Sequence, residues 1–223
     1  MNTIKNYVFL RFKTLTLITG CISFCLILLM LRIKFTHSFG FLFLVWNLFL
    51  AIIPYALTIY ISTKHKMGKF WLTTYLVAWL LFLPNAPYIV TDLIHLKYST
   101  TQLIWLDILI VGTFAFTGLL LFYLSIKDTL HILAHHFKKS TLTLLTACIL
   151  FLSAFGVYLG RFSRYNSWEI LSNPKFLLED IFTIATKPIM HSEAWLFTGC
   201  FGLFLYLGFW AFEQLANDKT FNY

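Results

Sequence analysis

Charge is what this sequence has least of. Asp, Glu, Lys and Arg make up 12% of its 223 residues, about half of the roughly 25% usual in soluble domains. A chain of 26.1 kDa cannot cover a water-facing surface at that density, which excludes an ordinary soluble globular protein. Glycine and proline are sparse too, at 10 and 5. No Gly/Ser linker, low-complexity tract or internal repeat stands out, so residues 1–223 read as one domain. There is no Walker-type loop, G-x-G-x-x-G, G-x-S-x-G or H-E-x-x-H. Their absence argues against a nucleotide-driven pump acting alone and against the familiar protease and hydrolase plans. The four cysteines, Cys21, Cys25, Cys148 and Cys200, all lie in apolar runs without C-x-x-C spacing. They read as small buried hydrophobes, and neither a metal nor a cofactor follows from them.

What the sequence has in abundance is hydrocarbon. Hydrophobic residues reach 59%, aromatics 19% with 25 Phe, and mean hydropathy is +0.78. A spanning helix needs about 20 apolar residues. Leu15–Leu31, Phe39–Ser62, Leu103–Ile126, Thr141–Gly160 and Trp195–Phe212 qualify, and Met67–Leu83 is a weaker sixth run whose Lys69 must reach to the interface. The fold class expected is an all-α integral membrane bundle of about six spanning helices in contact with the lipid bilayer. Arg32 and Lys34 follow the first run directly with no A-x-A-like site, so it reads as an uncleaved helix rather than a signal peptide.

Net charge is +8, carried by short clusters beside apolar runs. That pattern suits topology and anionic lipid and excludes a continuous nucleic-acid surface. With six spans, Lys5, Arg11, Lys13, Lys64, Lys66, Lys69, Lys127, Lys138, Lys139 and Lys219 fall on one side. Arg32, Lys34, Lys97, Arg161, Arg164, Lys175 and Lys187 fall on the other. The bias places both termini in the cytoplasm of a plasma-membrane protein.

Two polar constellations fall on the opposite, outer side. Leu83–Leu96 reads Leu-Pro-Asn-Ala-Pro-Tyr-Ile-Val-Thr-Asp-Leu-Ile-His-Leu. Pro84 stops a helix, Asn85 can cap a new one and Pro87 tolerates its first turn. On an α-helix Tyr88, Asp92 and His95 share a face. They form either the wet side of an interfacial helix or a polar face aimed into a cavity, with Asp92 orienting His95 as a catalytic base. Gly160–Glu169 reads Gly-Arg-Phe-Ser-Arg-Tyr-Asn-Ser-Trp-Glu. Here Arg161 and Arg164 suit a carboxylate or phosphate, and Tyr165 and Trp168 suit the headgroup level. The same residues also fit a plain interfacial anchor, or an ion pair with Asp92 or Glu169. The candidate site is Asn85, Tyr88, Asp92 and His95 opposite Arg161, Arg164, Asn166, Trp168 and Glu169.

The rest of that loop is amphipathic. Asn173 can cap, Pro174 suits the first turn and Lys187-Pro188 ends it, giving a helix that lies along the interface or folds over the bundle. Asp107, near the start of its span, reads as an interfacially solvated acid. Asn47 reads as an interhelical hydrogen-bonding residue, and Pro54 predicts a kink. Asp128, His131 and His135 read as part of a basic juxtamembrane patch. His191 and Glu193 would make a four-ligand metal set with Asp92 and His95 only if the fold brought all four together.

Together, Pro-Asn-Ala-Pro-Tyr…Thr-Asp-Leu-Ile-His-Leu and Gly-Arg-Phe-x-Arg-x-Asn-Ser-Trp resemble a bacterial multi-pass membrane family, domain of unknown function 1361. The resemblance runs roughly from the second helix to the last. In that family the second motif more often reads Trp-Asn-Ser-Trp-Asp, where this chain has Tyr165 and Glu169. The resemblance implies a bacterial multi-pass membrane protein and no particular activity. Three functions fit: transport of a small anionic or amphiphilic solute, an outer-leaflet enzyme on lipid-linked or envelope substrates, or a non-catalytic partner of another membrane protein.

Overall fold

A long apolar segment removed from water must satisfy its backbone internally, and helix is how a single segment does so. The computed structural model describes residues 9, 11–64, 68–99, 102–165, 172 and 174–217. Every described element is helical: α1 (Phe12–Thr36), α2 (Phe43–Ser62), α3 (Lys69–Phe82), α4 (Asn85–Tyr88), a 3-10 helix (Ile89–Tyr98), α5 (Ile104–Leu133), α6 (Lys139–Arg161), α7 (Pro174–Thr186) and α8 (Ser192–Asn217). Six stretches are long and apolar enough to cross a membrane. They are Phe12–Thr36, Phe43–Ser62, Lys69–Lys97, Ile104–Leu133, Lys139–Arg161 and Ser192–Ala216. Large apolar side chains such as Met30, Trp46, Phe116, Leu203 and Trp210 point outward, as lipid-facing surface requires. The protein is an all-α, multi-pass membrane protein. α2 runs unbroken through Pro54.

The chain forms two compact units, Met1–Ile132 and Leu133–Tyr223. In the first, α1 and α5 run antiparallel, tied at both ends. Arg32 Nε donates to Asp107 Oδ1 at 2.5 Å, and Arg11 Nη1 donates to Asp128 Oδ2 at 2.9 Å. Positions 11 and 32 are 21 apart, as are 107 and 128. The residues between repeat every seven: Arg11, Ile18, Cys25 and Arg32 on α1, and Asp107, Phe114, Leu121 and Asp128 on α5. All the α5 members and the two central α1 members are buried. Charge ties the two helices at both ends, and in the middle Cys25 Sγ lies 3.4 Å from Thr117 Oγ1, so the spacing of seven marks the facing stripe of each helix. At ~1.5 Å per residue the two ion pairs stand about 31 Å apart, close to the hydrocarbon thickness of about 30 Å. Inside lipid the hydrophobic effect does not choose helix partners, so such pairs fix partner and register instead.

Gly118 on α5 lets α4 approach closely. A Cβ there would lie 2.5 Å from the Ala86 carbonyl oxygen. Trp79 on α3 donates its indole N–H to Ser125 Oγ at 2.8 Å, deep in the same unit.

In the second unit α6 and α8 pack against each other. Gly202 makes room for the Phe151 ring, which a Cβ would meet at 2.5 Å. α7 starts at Pro174, as the sequence anticipates, and packs Leu177 and Ile184 against Leu159 and Ala194, with Phe155, Tyr158, Tyr165 and Ile181 around them. Trp195 Nε1 donates to the Ile184 carbonyl at 3.1 Å, and Tyr165 Oη donates to Asp180 Oδ2 at 2.7 Å.

Candidate functional site

The site in the first unit begins with a break in the backbone ladder. Pro84 and Pro87 carry no N–H, so α3 cannot continue. The last regular bond of α3 runs from Leu83 N–H to the Trp79 carbonyl, after which Ala86 N–H turns back only to Leu83. The Phe82 carbonyl is taken by the Asn85 side chain, whose Nδ2 donates at 2.8 Å. Asn85 therefore closes the end of α3 and does not cap α4, a role the capping rule does not anticipate because it looks forward along the chain.

The next ten residues wind as a 3-10 helix rather than an α-helix, unusually long for that form. Thr91 Oγ1 donates to the Tyr88 carbonyl three residues back, at 2.6 Å, which reinforces the tighter turn. At three residues per turn Ile89, Asp92 and His95 line up, whereas the α spacing aligns Tyr88, Asp92 and His95. Ile89 and Asp92 are fully buried, and Tyr88 is half-buried at the end of α4.

Asp92 is the centre of the site. Asn47 Nδ2, on α2, donates to its Oδ2 at 2.8 Å. His95 Nδ1 lies 3.8 Å from its Oδ1 and 3.2 Å from its backbone carbonyl. The His95 side chain is 32% exposed against 1% for Asp92, so the imidazole lies between a buried carboxylate and the outside.

The group continues into the α1–α5 clamp. The His95 ring lies 4.7 Å from Phe43, Phe43 lies 6.1 Å from Phe41, and the Arg32 guanidinium stands 4.4 Å above Phe41. Arg32 holds Asp107 through Nε and Nη2, and Nη1 reaches Thr36 Oγ1 at 3.4 Å. Asp107 is fully buried and ion-paired, not solvated at the interface as its place near a span end suggests. One end of the unit thus gathers Asn47, Asp92, His95, Arg32 and Asp107 around two phenylalanines.

Sequence reading missed Arg32, Phe41 and Phe43 for this site. It took Asn47 as an interhelical hydrogen-bonding residue, and Asn47 does bond across helices, to Asp92. A buried acid in one span and an arginine at the matching height of another was the available signal. Asp128, read as part of a basic patch, is the buried partner of Arg11 at the opposite end.

Of the second constellation, Arg161 is half-buried at the end of α6, and Arg164 is exposed with a left-handed φ of 61°. That conformation is uncommon outside glycine. It turns the chain so that Tyr165 N–H reaches back to the Leu159 carbonyl at 3.1 Å. Arg161 and Arg164 belong to the second unit, Asn85, Tyr88, Asp92 and His95 to the first. Asn166, Trp168 and Glu169 lie outside the described residues, as do Lys5, Lys66, Asn173 and Lys219. Among the described residues no three His, Cys, Asp or Glu side chains converge as a metal site. His191 and Glu193 belong to the second unit, Asp92 and His95 to the first.

No curated protein and no solved structure matches the chain. A family profile described as "Protein of unknown function (DUF1361)" matches residues 46–207. That span takes in α3 to α7, most of α2 and α8, and every residue of both constellations. The chain belongs to the DUF1361 family.

Proposed function

We propose that this is a bacterial plasma-membrane protein with both termini in the cytoplasm, and that Asn47, Asp92 and His95 perform acid–base chemistry on a phosphate-bearing amphiphile of the outer leaflet. One observation carries the reading: a partly exposed imidazole backed by a buried carboxylate that an amide orients. The ring is held through Nδ1 to the Asp92 backbone carbonyl at 3.2 Å, with the carboxylate 3.8 Å away, an arrangement that orients the imidazole as a general base must be oriented. Depth supports the same reading. The aromatic path joins His95 to Arg32, and the spacing of the two Arg–Asp pairs corresponds to the hydrocarbon boundaries. A base at that height reaches headgroups, whereas transporter sites lie near the bilayer midplane. The Arg32 fork is partly engaged by Asp107, and its Nη1 is the group that would meet a phosphate oxygen. Arg161 and Arg164 are proposed as a separate headgroup contact on the same leaflet.

Small-solute transport is the second reading. It is favoured by three acids buried within spans, Asp92, Asp107 and Asp128, since intramembrane acids often mark solute or proton paths. A non-catalytic assembly role is the third.

The test is complementation. Cells lacking the chromosomal copy receive the wild-type protein, His95→Ala or Asp92→Asn at matched membrane abundance, and their envelope lipids are profiled. The reading expects wild type to restore the profile and both variants to fail. If both variants restore it, the acid–base role is wrong.

A further inference from the structure

The outward side of α7 carries an inference independent of the proposed chemistry. At about 100° per residue, α7 divides into three sectors. Leu177, Ile181 and Ile184 form the first, packed on Leu159 and Ala194. Leu178, Phe182 and Ala185 form the second, roughly a quarter turn or slightly more away. Leu178 and Phe182 are 57% and 69% exposed. Lys175, Glu179, Thr183 and Thr186 form the third, a further quarter turn on, with Thr183 half-buried and the other three exposed. Phe176, in the first turn, falls at the edge of the polar sector.

A helix lying in water would need only two sectors, and so would a helix buried in a bundle. The exposed apolar sector lies between the packed sector and the polar one, with exposed Asp180 on the side away from it, an order that suits a helix lying flat at the headgroup level: protein on one flank, acyl chains beneath, and polar headgroups on the other flank and above. The neighbours agree on height. α7 packs near Phe155 and Tyr158, which belong to the spanning part of α6, and it accepts a hydrogen bond from Trp195 within the spanning part of α8. The exposed sector therefore continues the lipid-facing surface of those helices. The loop after α7 keeps Ile189 91% and Met190 79% exposed beside Lys187, the mixture of apolar and basic side chains that a headgroup region accepts.

We propose that α7 is a monotopic anchor, with Leu178 and Phe182 seated at the headgroup–acyl boundary of the bilayer. Its occupant is lipid and not a second protein.

The test uses the full chain with Cys21, Cys25, Cys148 and Cys200 replaced by Ser, in nanodiscs of phosphatidylcholine and phosphatidylglycerol. Single cysteines at 178, 182, 175 and 179 carry a nitroxide label. All four positions are exposed, so labelling leaves the packed stripe intact. Collision with oxygen, which partitions into lipid, is compared with collision with a water-soluble nickel chelate. The expected result is oxygen-dominated collision at 178 and 182, and the reverse at 175 and 179. Chelate-dominated collision at 178 and 182 would place that sector in water and overturn the proposal. Labels at 178 and 182 that meet neither quencher would mean a protein covers the sector, which overturns it equally.

Discussion

Asp107 shows how far a single residue can be read before its neighbour is known. Near the start of an apolar run, an acid is most simply explained by water at the interface. In the fold it is 1% exposed and held by Arg32, from a helix 75 positions away in sequence. Removing one partner of such a pair leaves a charge in a poor solvent, at a cost of about 3–5 kcal/mol. Arg32→Gln should therefore lower unfolding stability in detergent by that order, and Arg32→Gln combined with Asp107→Asn should recover much of it. Equal loss in the single and double variants would show that the pair is not coupled. Asn47→Ala should cost about 1.5–3 kcal/mol, the range for a hydrogen bond to a charged group, whereas Asn47→Asp sets a second carboxylate against Asp92 and should be worse. Thermal unfolding of the two variants side by side checks the order. Asp92 and His95 were singled out by residue type and spacing alone. Arg32 was not, because a basic residue after an apolar run has an adequate explanation as a topology signal.

At the scale of elements, periodicity made the spans legible, since each needs only its own composition. Both prolines of Leu83–Leu96 also announced the end of α3 correctly. The 3-10 winding was not legible, because Tyr88, Asp92 and His95 satisfy α spacing equally well, and the choice between windings depends on contacts made elsewhere. The α1–α5 pairing was hidden for a related reason. Its spacing of seven becomes meaningful only when two helices are laid antiparallel and position 11 is set against 128. Exchanging charges across one end, Arg11→Asp with Asp128→Arg, should restore most of the stability that Arg11→Asp alone removes. No recovery in the exchanged variant, measured by thermal unfolding, would mean that the pair does not set register. Glycine gives a sharper contrast on α5. Gly118→Ala forces a Cβ against the Ala86 carbonyl and should destabilise by about 1–3 kcal/mol. Gly112→Ala meets nothing within 4 Å and should gain about 0.5–1 kcal/mol from helix propensity. If the two substitutions behave alike, α4 does not press on α5 as described.

For the whole molecule, six spans require both termini on one side of the membrane. Reporter fusions that are active only in the cytoplasm should be active at both ends, and activity at one end alone would mean an odd number of crossings. Composition was enough to establish the class, because lipid is the one solvent in which so few charges suffice. The candidate site was less legible, since its side chains come from α1, α2, the 3-10 helix and α5 and meet only on folding. The central claim is that His95, backed by Asp92, acts on a phosphate-bearing amphiphile at the membrane boundary. The most direct measurement incubates the purified protein in nanodiscs with an extract of envelope lipids and follows the phosphate-bearing species by mass spectrometry. The account predicts a product that forms with the wild-type protein and falls by about 10²–10⁴-fold with His95→Ala, the usual worth of a general base. A product that forms at the same rate with both proteins, or no product from either, would contradict it.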